Sequence, residues 1–543
     1  MKRTRTSTIA RTAALLLAGT LTLAACGAGT PGGASTSAKE STLLIGTTTD
    51  VVTFSPLNNV SISDQWIMNQ LYPDLFTLAA DGSLTPHVAK SYAVSEDGTS
   101  LTIMLNDNFN WSDDEPITAE DVKFTLDRIV SDKLLHGATL RSNLASSEVI
   151  SPTEIKINMA SPSYGWALDL VRSAKILPQH VFKDVPNLAD YPIDAHEDAW
   201  VSGGAFTLAG ITKGQRYTFK RNAGYPLSAE GNKAITGLEF RIYQDINTMQ
   251  LALQSGDLDL AAPSIPASAV GSLKGKPGIE ITETADALNY SKLTFNASSA
   301  PLDNAVVRQV VSGLIDTQAI LDSVLQGRGT HPVGPVLPVY KDYQPDITEW
   351  HFTADEAKQK MGSAGYQDKN NDGFFDEIDL KLLCDQGNAN HAKSAQIVRD
   401  NLATAGIKVT LACTERATSL TAAKAGEFDL YIHKLNQINS PATNLALQYS
   451  SANTAGLYYN EAVDTKMDSL IQTAVAATTK DTYIKATKDA AAYIHDNAYV
   501  LPLYVEAMNN AFNTKRFTGY IPTGLEQSTM VNPYSLSQVI PSK

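Results

Sequence analysis

Acidic residues at calcium-ligand spacing form the densest chemistry in the chain. In Asp368-Lys369-Asn370-Asn371-Asp372-Gly373-Phe374-Phe375-Asp376, oxygen-bearing side chains fall at positions 1, 3, 5 and 9, Phe374 falls at 7, and Gly373 takes position 6, where the loop must turn sharply. Position 12 is Asp379, one methylene shorter than the Glu that grips calcium with both oxygens, and it leads into a strand rather than a second helix. The residues favour an Asx- and Gly-rich surface turn, with a structural calcium ion as the alternative. Covalent chemistry has less support. There is no Gly-x-Ser-x-Gly elbow, His196-Glu197 is not followed by His at the metalloprotease spacing, and residues 271–276 are one residue short of a phosphate loop. No catalytic residue is assigned and no cofactor is required. An exported hydrolase stays as a rival class, because triads assemble from distant residues. A surface scaffold or adhesin is a second rival.

The chain has three cysteines, and the first sits behind a leader. Lys2, Arg3, Arg5 and Arg11 precede an apolar run at residues 13–24, which is far shorter than the roughly 20 residues that span a bilayer. Residues 1–25 therefore read as a signal peptide. Leu23-Ala24-Ala25-Cys26 resembles the bacterial lipobox, which implies cleavage before Cys26 and acylation of its thiol. Residues 26–41, rich in Gly, Ala, Ser and Thr, read as a flexible tether. The protein is then expected at the cell membrane, lipid-anchored on the extracellular face. The formal charge is −14, and removal of a leader with four cations and no acid takes it to −18. Such a surface repels phosphate backbones, which excludes nucleic acid as a partner.

The elements that position any site are short and mixed. Alternating strands are predicted at residues 99–105, 154–159, 217–221 and 237–243. Thr118 with Asp121, and Thr353 with Glu356, are predicted capping boxes, and Val122, Leu126 and Ile129 share one face of the first helix. Further helices are expected at residues 304–313 and through Met467, Leu470, Ile471 and Val475. One βαβ unit is explicit: Leu380, Leu382 and Cys384 alternate, a helix spans residues 390–405, and Ile407, Val409, Leu411 and Cys413 alternate again. If the strands are parallel neighbours, Cys384 and Cys413 lie at corresponding ends on one face. An exported chain with Cys26 lipidated leaves them as an even pair, so either a disulfide or two buried thiols results.

Ordered motifs then carry a resemblance. Leu71-Tyr72-Pro73-Asp74-Leu75-Phe76, Asp81-Gly82-Ser83-Leu84-Thr85-Pro86 and the stretch Trp111-Ser112-Asp113-Asp114-Glu115-Pro116-Ile117-Thr118-Ala119-Glu120-Asp121-Val122 resemble the family 5 extracellular solute-binding proteins. That family usually has Gly in place of Asp114. Leu253-Gln254-Ser255-Gly256-Asp257-Leu258-Asp259, Phe295-Asn296 and Leu501-Pro502-Leu503-Tyr504 extend the likeness over about residues 43 to 540. The resemblance implies an α/β, two-lobed periplasmic-binding-protein-like clamshell (type II, cluster C-like) with a two-crossing hinge. Lobe one would hold residues 42–295 plus 506–543, and lobe two 296–505, with crossings near 293–296 and 503–507. Function would be capture of short peptides, or of an oligosaccharide, opine or metal chelate, for ABC permease subunits in the membrane by a monomeric binder.

The resemblance also nominates ligand-binding residues. Asp429 to Pro441 occupies the place where many peptide-binding relatives carry Gly-Trp and then Asp-Pro. Here Ser440 precedes Pro441, so the acid that receives a peptide's ammonium group is missing. Leu435 aligns with the Trp of nickel-binding relatives. His433, Asn436 and Asn439 remain as polar candidates, Arg172 as a carboxylate clamp, and Asn296 as a motif residue. Phe54, Tyr72, Trp111 and Tyr458 are candidate wall aromatics.

Overall fold

In the computed structural model the described residues are 41–543 apart from 56, 59–60, 80–81, 174, 285–287, 437–439, 454–462 and 523–529; for 136, 138, 171–173 and 436 the backbone alone is described. Three sheets organise them. Thr42–Thr47 carries the unbroken apolar run Leu43, Leu44, Ile45, buried on both faces as a central parallel strand requires. It pairs in parallel with Gly237–Ile242 and Leu260–Ala261, inside a seven-stranded sheet whose other members are Phe206–Thr212, Arg216–Arg221, Ile279–Thr284 and Met508–Asn513. A four-stranded antiparallel sheet is built from Ala89–Val94, Ser100–Leu105, Leu144–Ser151 and Glu154–Met159, and it shares one core with the seven-stranded sheet through Ile103, Ile157 and Ile45.

The helix Ala119–Ser131 buries Val122, Leu126 and Ile129 in that core. Its start is fixed by the Asp121 carboxylate, which accepts the Thr118 N–H at 2.9 Å. Thr353 and Glu356 cap Ala354–Ser363 in the same way, with Thr353 N–H donating to Glu356 at 2.8 Å and Glu356 N–H to Thr353 Oγ1 at 3.3 Å.

The six-stranded sheet runs in the order Gly329–Thr330, Val500–Glu506, Asn289–Phe295, Leu430–Asn436, Asp379–Asp385, Lys408–Thr414. Asp379–Asp385 and Lys408–Thr414 are parallel and joined by the helix Ala389–Ala403, the βαβ unit that alternation predicts. Cys384 faces Cys413 in that register, with Cα atoms 4.4 Å apart, and the two are disulfide-bonded. The register also corrects the expected position of the first crossing. Asn289–Phe295 pairs along its length with Leu430–Asn436 and also with Val500–Glu506. Its backbone ladder therefore ties it to the six-stranded sheet, and the chain passes between sheets before Asn289, not at 293–296. The return passage is at Ala507, between Val500–Glu506 and Met508–Asn513.

Candidate functional site

A cavity of about 690 Å³ lies between elements of the two larger sheets, beside Asn289 and Ala507. Ile62 and Trp66 of the helix Ile62–Leu71, with Pro263 and Ser264, form one wall; Asp385, His391, Arg416 and the 431–435 segment form the other, and Glu506 to Met508 run past it. The second wall stands at the carboxyl end of a parallel strand, where α/β sheets leave a crevice. Asp385 ends its strand there, and Asn388 caps the following helix by accepting the N–H groups of Asn390 (3.1 Å) and His391 (3.2 Å).

Two imidazoles in the wall are held neutral. His433 stacks on Tyr431 with centroids 4.5 Å apart and its Nε2 lies 3.0 Å from Thr294 Oγ1. Burial, and then the nearby Lys292 charge, hold its pKa well below the usual imidazole value. His391 Nε2 lies 3.1 Å from Ser291 Oγ, and burial pushes its pKa down to about 4. Lys434 and Glu506 pair at 3.0 Å, and Asn390 donates to the same carboxylate at 2.7 Å. Burial opposes the ionisation of Glu506, but Lys434 and Asn390 outweigh it and hold the pKa below the ordinary value.

Three buried atoms on lining residues have no hydrogen-bond partner among the described residues: Trp66 Nε1, Asn289 Oδ1 and His391 Nδ1. Buried polar groups are normally bonded, so these three are what a solute or water would satisfy.

Of the residues nominated by sequence, His433 lines the cavity. Phe54, Tyr72 and Trp111 are instead core residues, 5%, 0% and 1% exposed, and none lines it. Phe54 packs on Tyr217 and Tyr72 on Phe182, where large apolar surfaces gain most from burial. Asn296 is consumed structurally: its amide donates to the carbonyls of Gly426 and Phe428, and its oxygen accepts from Ser298. The side chains of Arg172 and Asn436, and all of Asn439, Tyr458 and Cys26, lie outside the described residues. Ser440 is fully buried, and its N–H donates at 2.7 Å to Asp169, a carboxylate that also accepts from the Ser440 and Thr443 hydroxyls. Burial raises the Asp169 pKa to about 6.

The acidic loop is organised by its own backbone N–H groups. Asp368 accepts the N–H groups of Asp372 and Gly373, Asn370 accepts that of Asp372, and Asp372 accepts that of Phe374, a set of Asx turns. Asp376 accepts the Lys369 N–H, and Asp379 is turned to Lys408 and Thr410. Among the described residues no group of three or more His, Cys, Asp or Glu is arranged to hold a metal ion.

Arg416, Lys424, Lys434, His391, Glu506 and Trp66 carry no motif that marks them in the sequence. One signal was present. Asp385-Gln386-Gly387-Asn388 follows an alternating strand and opens a helix, which is where a βαβ unit places its ligand crevice.

Two mixed sheets that the chain passes between twice, with a cavity walled from both sides, define a class: the two-lobed periplasmic-binding-protein-like fold. Solved structures share it. The substrate-binding protein CtaP of Listeria monocytogenes superposes with a TM-score of 0.80 at 20% identity, covering 92% of this chain and 99% of that one. The oligopeptide-binding protein AppA of Bacillus subtilis, solved with a nonapeptide, gives 0.70 at 21% identity over 92% and 99%. Among sequence relatives, heme-binding protein A of Haemophilus influenzae is 24% identical over 93% of this chain and 95% of its own length. The glutathione-binding protein GsiB of Salmonella paratyphi A is 26% identical over 89% and 92%. The profile of the bacterial extracellular solute-binding proteins, family 5 (middle region), matches residues 83–456, and the chain belongs to that family. It is a transport binder and not an enzyme.

Proposed function

We propose that this chain is the cell-surface subunit of an ABC importer that captures short peptides, and that it holds them extended along the open edge of the Leu430–Asn436 strand. The observation that carries this is a register. Pairing with Asp379–Asp385 ends at Cys384↔Ile432, so the strand outruns its parallel neighbour, and Lys434 and Leu435 border the cavity. A peptide backbone added there bonds to main-chain groups whatever its side chains, which gives affinity with breadth. The unpartnered Asn289 Oδ1 and Trp66 Nε1 offer an acceptor and a donor from two sides. The nonapeptide in Bacillus subtilis AppA and the glutathione in the name of the Salmonella relative support a peptide-like cargo.

Sheet membership supports lobes of 42–288 plus 508–543 and of 289–506, joined at the two passages. A solute touching Trp66 on one side and Lys434 on the other stabilises the closed population. Cys26 supplies the lipid anchor, the tether carries a monomer, and the permease subunits receive the cargo chemically unaltered. Native mass spectrometry of gently purified protein tests the ligand: masses of mixed short peptides are expected, and a single sugar, opine or chelate mass overturns the peptide reading.

A further inference from the structure

We propose that the captured solute is an acidic peptide, selected by a cationic stripe on the helix Arg416–Lys424; this rests on the peptide-capturing reading above. Arg416, Leu420 and Lys424 recur at four-residue spacing and all three line the cavity. They therefore form one stripe along the helix face, with the two cations about 12 Å apart at 1.5 Å per residue. Both cations are exposed, and neither has a hydrogen-bond or ion-pair partner among the described residues.

The rest of the described lining does not offset them. Lys434 and Glu506 neutralise each other at 3.0 Å. His391 and His433 are neutral, for the reason of burial given above. Asp385 is the one remaining lining carboxylate, and one of its oxygens already accepts the Gly387 N–H at 2.8 Å. The lining thus carries an excess of positive charge inside a chain whose formal charge is −14. The bland alternative is a solvated surface helix, but such a helix has its cations facing bulk water and not a cavity that also holds unpartnered buried polar atoms.

The spacing refines the class. An extended chain rises about 3.4 Å per residue and turns alternate side chains to opposite faces, so carboxylates four residues apart reach both cations, and Leu420 contacts an apolar side chain midway between them. The purified full chain is titrated calorimetrically with Glu-Ala-Leu-Ala-Glu, Gln-Ala-Leu-Ala-Gln and Lys-Ala-Leu-Ala-Lys. The acidic peptide is expected to bind about tenfold tighter than its amide counterpart, by charge-assisted hydrogen bonding. Part of that preference is expected to disappear between about 0.01 M and 0.15 M salt, where the Debye length falls from roughly 30 to 8 Å. In the double variant Arg416→Gln, Lys424→Gln, both sites being exposed, the preference is expected to vanish while the melting temperature holds. Equal binding of the acidic and amide peptides, tighter binding of the lysine peptide, or a preference that survives the double variant overturns this inference and leaves peptide capture standing. Failure of all three peptides to bind overturns both.

Discussion

Lys292 is 1% exposed and has no carboxylate beside it among the described residues: its ammonium donates to Gln448 Oε1 at 2.8 Å and to the Tyr449 hydroxyl at 3.3 Å, and lies 4.7 Å from the Tyr449 ring centroid. Burial pushes its pKa down to about 7 from an ordinary 10.5. The consequence for stability has a definite sign. Below about pH 7 the folded and unfolded chains both carry the proton and the burial cost is present in full; between about 7 and 10.5 the unfolded chain keeps a proton that the folded chain has released, so stability rises with pH. Urea unfolding of Lys292→Met between pH 7 and 9 is expected to lack that rise, and a rise equal to wild type would show that Lys292 is not its source. Burial, and then the Lys292 charge, keep His433 neutral in the cavity wall. Asp169 works on a comparable scale, satisfying three donors at the start of the helix Pro441–Tyr449 from a distant segment. Ser440, where the family resemblance implies an acid in peptide-binding relatives, is thereby sealed in the protein.

Local chemistry fixed most of the elements. The Thr118–Asp121 and Thr353–Glu356 boxes start their helices where two side chains reciprocally satisfy terminal N–H groups, a signal complete within four residues of sequence. The Asp114 position, Gly in most relatives, is explained by its φ of +70°, a left-handed turn that glycine adopts freely and aspartate tolerates. The βαβ alternation placed Cys384 and Cys413 at matched positions, and the parallel register brings them together across a sequence separation of 29. Closing a loop of that length is worth about 3 to 4 kcal/mol in the chain-entropy account. Cys384→Ala with Cys413→Ala is therefore expected to lower the unfolding free energy by about that amount in urea titration, and an unchanged midpoint would refute a stabilising role. The first crossing was misplaced because an apolar strand looks the same in either sheet. Tyr290, Leu293 and Phe295 do not reveal which neighbours they will pair with.

At the scale of the whole molecule, both chain ends contribute to the seven-stranded sheet while the six-stranded sheet is drawn from 289–506, which leaves two passages as the route between them. The proposed anchor acts on this scale, since one lipidated residue holds the entire binder at the membrane. Cys26→Ser is expected to release the protein to the medium on fractionation, and unchanged membrane association would refute lipidation. Family motifs, capping boxes and strand alternation were all legible in the residues, because each is a signal confined to a short stretch. The cavity was not. Aromatic residues such as Tyr72 and Trp111 look identical in sequence whether they wall a pocket or fill a core, and their placement at 0% and 1% exposure follows from which elements pack over them. Sequence by itself determined the exported solute-binder architecture. Tertiary structure alone decided that Trp66, His391, Arg416, Lys424 and Lys434 share one cavity, because contacts between residues hundreds of positions apart depend on sheet register and on how the two halves face each other.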